Sequence, residues 1–322
     1  MDEKKHHYVP KAYLRYFCDD TGKVLVYRKD DPSKAIPLSP DNTAFHKYYY
    51  SQPTPEGGKD HNVLEDLFSK VEEKWPEIVA RLHRQEDVND SLEDIFQFMG
   101  LQRARVPASR DATERIEAER IIAPARRMDA AGELPPKPKS FEDILDHVEV
   151  PINPHQSIHA MPHVIQGIGQ VFSQIGIGVL HNKTAVPFLT SDNPVVWFDP
   201  SIPELDLKPY VLKPDGQIVL FFPVSPSLLI YGHTSILERF VAEGLGHADL
   251  PDAGFVKMIN RRVCRFGYQA IFAQKTGQEG LIQEHAELSP TVRFDRIGAG
   301  KDQVVVFEMV FGKRERKPRW ID

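Results

Sequence analysis

The chain contains little cysteine: only Cys18 and Cys264 occur in 322 residues, and they lie far apart in sequence. Secreted domains that depend on disulfides carry more cysteines, so this composition excludes a disulfide framework and favours a reducing compartment. The N-terminal residues MDEKKHHYVP include no apolar run and do not resemble a secretory signal peptide. The sequence therefore predicts a cytoplasmic protein.

Long hydrophobic runs and an excess of positive charge are also missing. No stretch of about 18 apolar residues occurs, which argues against a membrane-spanning helix. The formal net charge is -6 at pH 7, so the chain as a whole is not drawn to nucleic acid or to anionic membranes. A local basic groove is still compatible with this balance. The tail from Lys313 to Arg319 has five basic residues against one acidic residue, which is typical of a solvated tail and leaves contact with nucleic acid open.

The short motifs that identify common enzyme classes are absent from the sequence. There is no GxxxxGK[ST] phosphate loop, no GxGxxG after a strand, no GxSxG elbow, and no HExxH or CxxC metal motif. Motifs of this kind therefore assign no reaction and no oligomeric state to the chain.

The spacing of apolar residues changes twice along the chain. Lys23 to Lys29 alternates apolar and polar residues and predicts a strand. From residue 62 to residue 84 the spacing becomes helical, and Pro76 is expected to kink or split that helix. Strands are predicted again after residue 180. Strands, a helical block and further strands indicate an α+β protein with a mixed or antiparallel sheet.

We expect a single domain, residues 1–322, with a helical insertion at about 62–180. The proline-rich segment Leu134 to Ser140 is the best linker, so two domains with a boundary near residue 137 are the alternative. We expect Pro135 to Lys139 to be exposed and sensitive to proteases. The apolar, glycine-containing stretch from Ser157 to Leu180 predicts one long buried helix.

Local signals predict three further elements. The aromatic segment Lys47 to Ser51 is a candidate strand. The turn residues Pro214-Asp215-Gly216 predict a hairpin between 209–212 and 217–222. Asp252 to Phe266 is predicted to be the last helix of the chain.

The first candidate site is the adjacent pair His6 and His7. Imidazole is an acid and base near neutral pH and a common metal ligand. Successive side chains of an extended segment point to opposite sides, so one histidine would face a pocket and the other the core. Structural histidines are the alternative interpretation. Apolar residues follow this pair and predict that the N-terminal segment is packed rather than free, namely Tyr8, Tyr13, Leu14 and Phe17.

The second candidate site is Asp192-Asn193, followed by Pro194 and placed between two predicted strands. Aspartate and asparagine before proline often only build a turn, by bonding to the backbone. A carboxylate and an amide at a strand end are also well placed to bind a metal ion or a substrate.

The third candidate site is Arg103, near the end of a predicted helix and shortly before Pro107. Arginine in that position complements the helix dipole. Alternatively, a buried arginine binds a carboxylate or phosphate through its planar guanidinium.

A fourth set, His155, His159 and His163, has a spacing of four residues. On one continuous helix these side chains would share a face and could bind a metal ion. Pro154 and Pro162 argue against a continuous helix here.

In combination these motifs resemble those of a large bacterial family of unknown function. Its members begin with His-His-Tyr-Val-Pro and a Tyr-Leu-Arg-x-Phe run, here His6 to Pro10 and Tyr13 to Phe17. A helix ending in a Gln-x-x-Arg-like stretch before a proline corresponds to Leu101 to Pro107. A Ser-Asp-Asn-Pro turn and a Phe-Pro-x-Ser-Pro element correspond to Ser191 to Pro194 and Phe222 to Pro226. The resemblance covers most of the chain and implies no particular reaction, but it gives more weight to a functional role for the motif residues.

The leading hypothesis is a hydrolase such as a phosphodiesterase or nuclease. His6 or His7 would act as general acid or base, or would bind a divalent metal ion. Asp192 would orient that histidine or bind the metal ion.

Substrate binding is assigned to three other residues. Arg103, with Arg15, would hold the anionic group of a nucleic acid or of another phosphate-bearing ligand. Asn193 would contact the substrate. No membrane is expected as a partner.

The rival hypothesis is a non-enzymatic sensor or adaptor. In that case the same polar residues form a buried network that joins the N-terminal segment to the sheet. The hydrolase hypothesis requires His6 or His7, Arg103 and Asp192 to converge on one pocket.

Overall fold

A computed structural model describes residues 4–138, 140, 144–298, 302 and 304–318 of the chain. It has an α+β fold in which strands precede and follow a block of helices, as the sequence predicts. The strands are β1 (Lys5–His7), β2 (Val24–Arg28), β3 (Asp31–Leu38), β4 (Phe45–Lys47), β5 (Gln52–Pro53), β6 (Lys59–Asp60), β7 (Gly176–Asn182), β8 (Thr190–Ser191), β9 (Val196–Phe198), β10 (Val219–Ser225), β11 (Leu228–His233), β12 (Gly246–Leu250), β13 (Ala270–Ala273), β14 (Ser289–Ile297) and β15 (Val304–Gly312).

The helices occupy one place near the N-terminus, the middle of the chain and three places after it. They are α1 (Lys11–Leu14), α2 (Val63–Glu72), α3 (Trp75–His83), α4 (Leu92–Arg105), α5 (Pro107–Ala130), α6 (Ile144–His147), α7 (Pro154–His159), α8 (Met161–Phe172), α9 (Leu237–Glu243), α10 (Ala253–Phe266) and α11 (Glu279–Glu284). Short 3-10 helices lie at Arg15–Phe17, Pro40–Asn42, Asn89–Ser91 and Thr234–Ile236. In the described part of the chain, no helix is both long and apolar enough to cross a membrane.

Two sheets form the centre of the molecule. A five-stranded sheet has the order β12-β7-β11-β10-β9 and is mixed, because β12 runs parallel to β7. A four-stranded antiparallel sheet has the order β3-β2-β13-β8. Strand β10 is buried on both faces: Leu220 and Phe222 pack into one core, and Val219 and Phe221 into the other. Burial on both faces explains why this strand is apolar at consecutive positions.

The turn at Ser191–Pro194 carries the chain from one sheet to the other. It follows β8, which pairs with β13, and precedes β9, which pairs with β10. The N-terminal segment lies against both sheets as well, since the hydroxyl of Tyr13 donates to Pro223 O and lies 2.6 Å from Thr190 Oγ1. The prediction of a packed N-terminal segment is confirmed by the burial of its apolar residues, Tyr8, Tyr13, Leu14 and Phe17.

Proline divides the helical block in two ways. Pro76 splits the predicted first helix into α2 and α3 and lies in the first turn of α3, where a missing backbone N–H costs least. Pro107, predicted to stop a helix, also begins the next one at the N-terminus of α5. The helices join the sheets through stacked rings, because Trp75 lies on Phe98 with centroids 4.0 Å apart and both contact Phe222.

The prediction of one long buried helix from Ser157 to Leu180 is wrong. The segment forms α7, α8 and then the central strand β7. Gly167 and Gly169 lie on an exposed face of α8, whereas Gly176 begins β7 where α9 packs closely against it. The apolar composition is shared by a half-exposed helix and a buried strand, so composition could not separate them.

Two other local predictions are corrected. Lys47 to Ser51 is mostly a turn rather than a strand, with Tyr48 in the left-handed region at φ 57°. Residues 209–212 form no strand, and β10 pairs instead with β9 and with β11. Helix α11 follows α10, so Asp252 to Phe266 is not the last helix.

The proline-rich break is present between α5 and α6. Pro135, Pro136 and Pro138 are exposed, as expected, while Lys139 lies outside the described residues. Sensitivity to proteases, a single domain, and the alternative boundary near residue 137 stay predictions.

Candidate functional site

The two motif histidines are both buried in β1. His6 is fully buried, and its Nδ1 accepts a hydrogen bond of 2.8 Å from the backbone N–H of Tyr50. Its ring also stacks on that of Tyr50, with centroids 5.7 Å apart. Nδ1 of His6 therefore carries no hydrogen in this arrangement.

His7 has the opposite bonding pattern at Nδ1. That nitrogen lies 3.1 Å from Thr43 O, and because a carbonyl oxygen only accepts, Nδ1 carries the hydrogen. Burial, with the positive charge of Lys11, lowers the pKa of His7 to about 4 against the opposing effects of Thr43 and Asp41. The imidazole of His7 is therefore neutral at pH 7.

Asp192 fixes the segment before β13. Its two carboxylate oxygens accept hydrogen bonds of 2.7 Å from the backbone N–H groups of Tyr268 and Gln269. Burial raises the pKa of Asp192, and these two amides together with Lys29 oppose that shift. Lys29 is also buried and donates to the carbonyls of Cys264 and Gly267, so both side chains hold the same loop.

Arg103 and Asn193 are brought together by Tyr210. The guanidinium of Arg103 lies 3.9 Å from the centroid of the Tyr210 ring, and Nη1 donates to Ser109 Oγ. Nδ2 of Asn193 donates to the hydroxyl of Tyr210 at 2.6 Å. Within the described residues, Nε of Arg103 and Oδ1 of Asn193 are buried and lack hydrogen-bond partners, so this cluster is not a fully satisfied network. Arg15 is exposed on its 3-10 helix.

A cavity of about 500 Å³ lies beside these residues, and we name it the tyrosine pocket after Tyr8 and Tyr268 in its wall. The described residues that line it are Tyr8, Val26, Arg28, Asp30, Leu38, Asn42, Thr43, Ala44, Asp111, Tyr268, Gln269, Ala270, Phe272, Arg314, Glu315 and Lys317. Neither His6 nor His7 is among them, and neither are Arg103 and Asp192.

Three motif residues that do not line the tyrosine pocket nevertheless bond directly to residues of its wall. His7 bonds to Thr43 O, and Asp192 holds Tyr268 and Gln269. Gln102, at the end of α4, donates from Nε2 to Tyr8 O at 3.0 Å. Each of the three motifs therefore has one residue that bonds to backbone atoms of this wall, but in the third motif that residue is Gln102, and Arg103, which was expected to share the pocket, does not line it.

Tyr268 and Asp111 form the polar centre of this wall. The hydroxyl of Tyr268 donates to Oδ2 of Asp111 at 3.0 Å, and Lys317 Nζ lies 3.2 Å from Oδ1. Arg314 Nη1 donates to Tyr268 O. Burial raises the pKa of Tyr8 and of Tyr268, so both phenols are neutral hydrogen-bond donors.

A third histidine, His46, lies next to this wall and is exposed. Its ring centroid is 5.1 Å from that of Tyr8, and β4 places it opposite His6 in the ladder with β1. Although the surface of His46 is exposed, the protein atoms packed around its ring exclude water and lower its pKa; the carboxylate of Asp111 opposes this shift, and Arg110 and Lys317 add to it. His46 is therefore a neutral imidazole near a carboxylate, suited to accept a proton at pH 7.

The sequence reasoning did not identify His46 or Asp111. Asp111 lies four residues after Pro107, so its closeness to the third motif was a usable signal. His46 belongs to no motif and does not line the pocket, and the pairing of β4 with β1 brings it beside Tyr8 in the wall.

The helical histidine set does not form a shared face. His155 and His159 lie in α7, and His163 lies in the separate helix α8. Among the described residues, no group of three or more His, Cys, Asp or Glu side chains is arranged to hold a metal ion.

Comparison with known proteins gives one family. A family model described as a protein of unknown function (DUF4238) matches residues 5–277. No curated protein and no solved structure matches the chain.

Proposed function

We propose that this chain, which belongs to the DUF4238 family of proteins of unknown function, binds a phosphate-bearing ligand in the tyrosine pocket and hydrolyses its ester bond. The observation that carries the proposal is the convergence of three motifs on that pocket. His7, Gln102 and Asp192 each bond to backbone atoms of wall residues. Buried polar groups that bond to wall residues hold a site in one geometry.

The charges of the wall support a phosphate-bearing ligand. Its cations are Arg28, Arg314 and Lys317, and its carboxylates are Asp30, Asp111 and Glu315. Guanidinium and ammonium groups form charge-assisted hydrogen bonds with phosphate oxygens. Because the wall is balanced in charge, a singly charged phosphodiester fits it better than a doubly charged phosphomonoester, which would be repelled more strongly by the same carboxylates.

His46 supplies the acid–base chemistry in this proposal. A water molecule attacks phosphorus while His46 takes its proton. The P–O bond to the leaving alcohol then breaks, the alkoxide receives a proton from solvent, and His46 releases to solvent the proton that it took. Lys317 and Arg314 hold the phosphate oxygens on which charge develops. In this scheme His7 and Asp192 position the wall, and the catalytic roles that the sequence suggests for them stay predictions.

A sensor or adaptor is the second candidate. It is favoured by the complete burial of His6 and Asp192 and by their bonds to backbone amides, which need no reaction to explain them. Such a protein would bind the same class of ligand in the tyrosine pocket without turnover.

The test combines hydrolysis of bis(p-nitrophenyl) phosphate with thermal stability in inorganic phosphate. We expect His46→Gln to lower kcat by about 100-fold or more, the usual effect of losing a general base. We expect Arg314→Gln to raise KM and to weaken the stabilisation by phosphate. The matched control is Arg316→Gln, since Arg316 is an exposed neighbour that does not line the pocket.

The outcomes separate the two candidates. Stabilisation by phosphate that depends on Arg314, without hydrolysis, supports the sensor. Hydrolysis that His46→Gln leaves unchanged removes His46 from the mechanism. Neither binding nor hydrolysis by the wild-type chain rejects both candidates.

A further inference from the structure

A second cavity, of about 700 Å³, lies beside the tyrosine pocket and shares Lys317 with it. We name it the serine pocket, because Ser51 and His61 both line it. Tyr49 in its wall contacts Tyr8 in the wall of the tyrosine pocket, with ring centroids 6.1 Å apart. The two cavities are therefore neighbours whose polar side chains differ, apart from the shared Lys317.

Ser51 and His61 are hydrogen-bonded to each other. The distance from Ser51 Oγ to His61 Nδ1 is 2.6 Å. When Nδ1 carries no hydrogen, the hydroxyl donates to it, and the imidazole is placed to take the serine proton. A serine hydroxyl is a weak nucleophile alone and is activated by a base within about 2.6–3.2 Å.

The local fold holds this pair in place. Strands β5 and β6 pair Gln52 with Asp60, so Ser51 and His61 are the next residues outward on the two strands. The carboxylate of Asp60 accepts from the backbone N–H groups of Asn62 and Val63 at the start of α2, which fixes the chain directly after His61. The ring of His61 packs against that of Tyr48, with centroids 4.6 Å apart, so an aromatic contact orients the imidazole.

Few charged side chains line the serine pocket. Among the described residues that line it, Lys59 and Lys317 are the charged ones apart from histidines, and both are cations. Lys317 is also paired with Asp111 and Glu114. Because two carboxylates oppose the charge of Lys317, the class of substrate follows from the Ser51–His61 pair and not from the charge of the pocket.

We propose that Ser51 and His61 are a nucleophile and its base, acting on a carboxylic ester. Ser51 Oγ attacks the carbonyl carbon, and its proton passes to His61 Nδ1. The C–O bond to the alcohol breaks, and the leaving oxygen takes that proton, which yields an acyl-serine and a free alcohol. Water then attacks the acyl-serine, gives its proton to His61, and releases the acid as Ser51 regains a proton. This proposal does not depend on phosphoester hydrolysis in the tyrosine pocket.

Labelling with a fluorophosphonate probe tests the pair in the full chain. We expect one covalent adduct, which intact mass and peptide mapping place on Ser51. Ser51→Ala should abolish it, and His61→Gln should slow labelling by at least about tenfold, because the base is lost. The matched control is Ser69→Ala, which changes an exposed serine of α2 and should label as wild type does.

A second variant keeps the test independent of folding defects. In Ser51→Cys, the thiol should react with iodoacetamide faster than in Ser51→Cys combined with His61→Gln, with both proteins showing native circular dichroism. An adduct on another serine would overturn the proposal. Equal labelling rates in wild type and His61→Gln would overturn it too.

Discussion

At the scale of single residues, the motif side chains act mainly through backbone groups. His6 accepts from an amide, His7 donates to a carbonyl, and Asp192 accepts from two amides. Each is buried, so breaking such a bond leaves a polar group without water, which costs about 1–3 kcal/mol. A substitution at these positions therefore changes both the stability of the fold and the geometry of the candidate site. The activity of such a variant has to be compared with its free energy of unfolding.

The pKa of His7 gives a pH-dependent test of this coupling. Its ordinary value is 6.5, and in the folded chain it is about 4. Above pH 6.5 the imidazole is neutral in both the folded and the unfolded state. Between pH 6.5 and 4 the unfolded state binds a proton that the folded state does not, so the free energy of unfolding falls as the pH falls, by up to about 3 kcal/mol in total.

We expect His7→Asn to remove that part of the acid dependence. Nδ2 of asparagine can still donate to Thr43 O in place of Nδ1, but it does not titrate. Urea unfolding at a series of pH values from 4 to 7 measures the slope. His163→Asn is the control, because His163 is exposed on α8. Equal slopes in wild type and His7→Asn would contradict the assignment.

At the scale of elements, the local spacing of apolar residues predicted several helices. It could not predict which strands pair with each other. The positions of helices α2, α3 and α10 follow from signals that lie within each helix's own segment of the sequence. Strand β10 pairs with β11, which directly follows it, and with β9, which lies before the whole loop that contains Pro214-Asp215-Gly216, so the turn signal in that loop misled the prediction. His46 was missed because the pairing of β4 with β1, two strands that are far apart in sequence, positions it.

Glycines in the segment from α8 to β7 differ in what surrounds them. A Cβ added to Gly169 meets no atom within 4 Å, and the residue lies inside a helix. A Cβ added to Gly176 would overlap the carbonyl oxygen of Ile236 and Cβ of Phe240. The same substitution should therefore have opposite effects seven residues apart.

We expect Gly169→Ala to raise the free energy of unfolding by about 0.5–1 kcal/mol, because alanine loses less backbone entropy in a helix. We expect Gly176→Ala to lower it by about 1–3 kcal/mol, as overpacking forces α9 away from β7. Chemical denaturation of the two variants measures both effects. A destabilised Gly169→Ala would mean that the exposed face of α8 is covered in solution.

At the scale of the whole molecule, the tyrosine pocket combines two parts of the chain. Tyr8, Asp111 and Tyr268 lie within the residues that match the family, 5–277. Arg314 and Lys317, which supply two of its cations, lie beyond that range. The motif residues that bond to the wall thus lie within the family match, whereas the cations to which we assign phosphate binding come partly from a segment outside it.

The sequence identified motifs whose residues bond to the wall of the tyrosine pocket, but it did not identify the charged residues that line the pocket. The motifs directed attention to His7, Arg103 and Asp192, and a sequence does not show whether such a polar group faces a cavity or a backbone group. Arg314 was read only as part of a charged tail. Its approach to Tyr268 depends on β14 and β15, which carry the chain back to the wall.

The N-terminal segment joins the two sheets, and Tyr13 is the residue that tests this. Its hydroxyl donates to Pro223 O on β10 at 2.5 Å and lies 2.6 Å from Thr190 Oγ1 on β8, so one side chain bonds to both sheets. Tyr13→Phe keeps the ring and its packing on Phe222 but leaves two buried polar atoms short of a partner. We expect the free energy of unfolding to fall by about 1–3 kcal/mol.

Tyr16→Phe is the matched control, because Tyr16 donates to Pro76 O at 3.2 Å in an exposed position. Its loss should lower the free energy of unfolding by less than about 1 kcal/mol. Urea unfolding followed by fluorescence and by circular dichroism should show one coincident transition for each protein. An equal loss in the two variants would contradict a special role for Tyr13, and separate transitions would show that the N-terminal segment unfolds apart from the sheets.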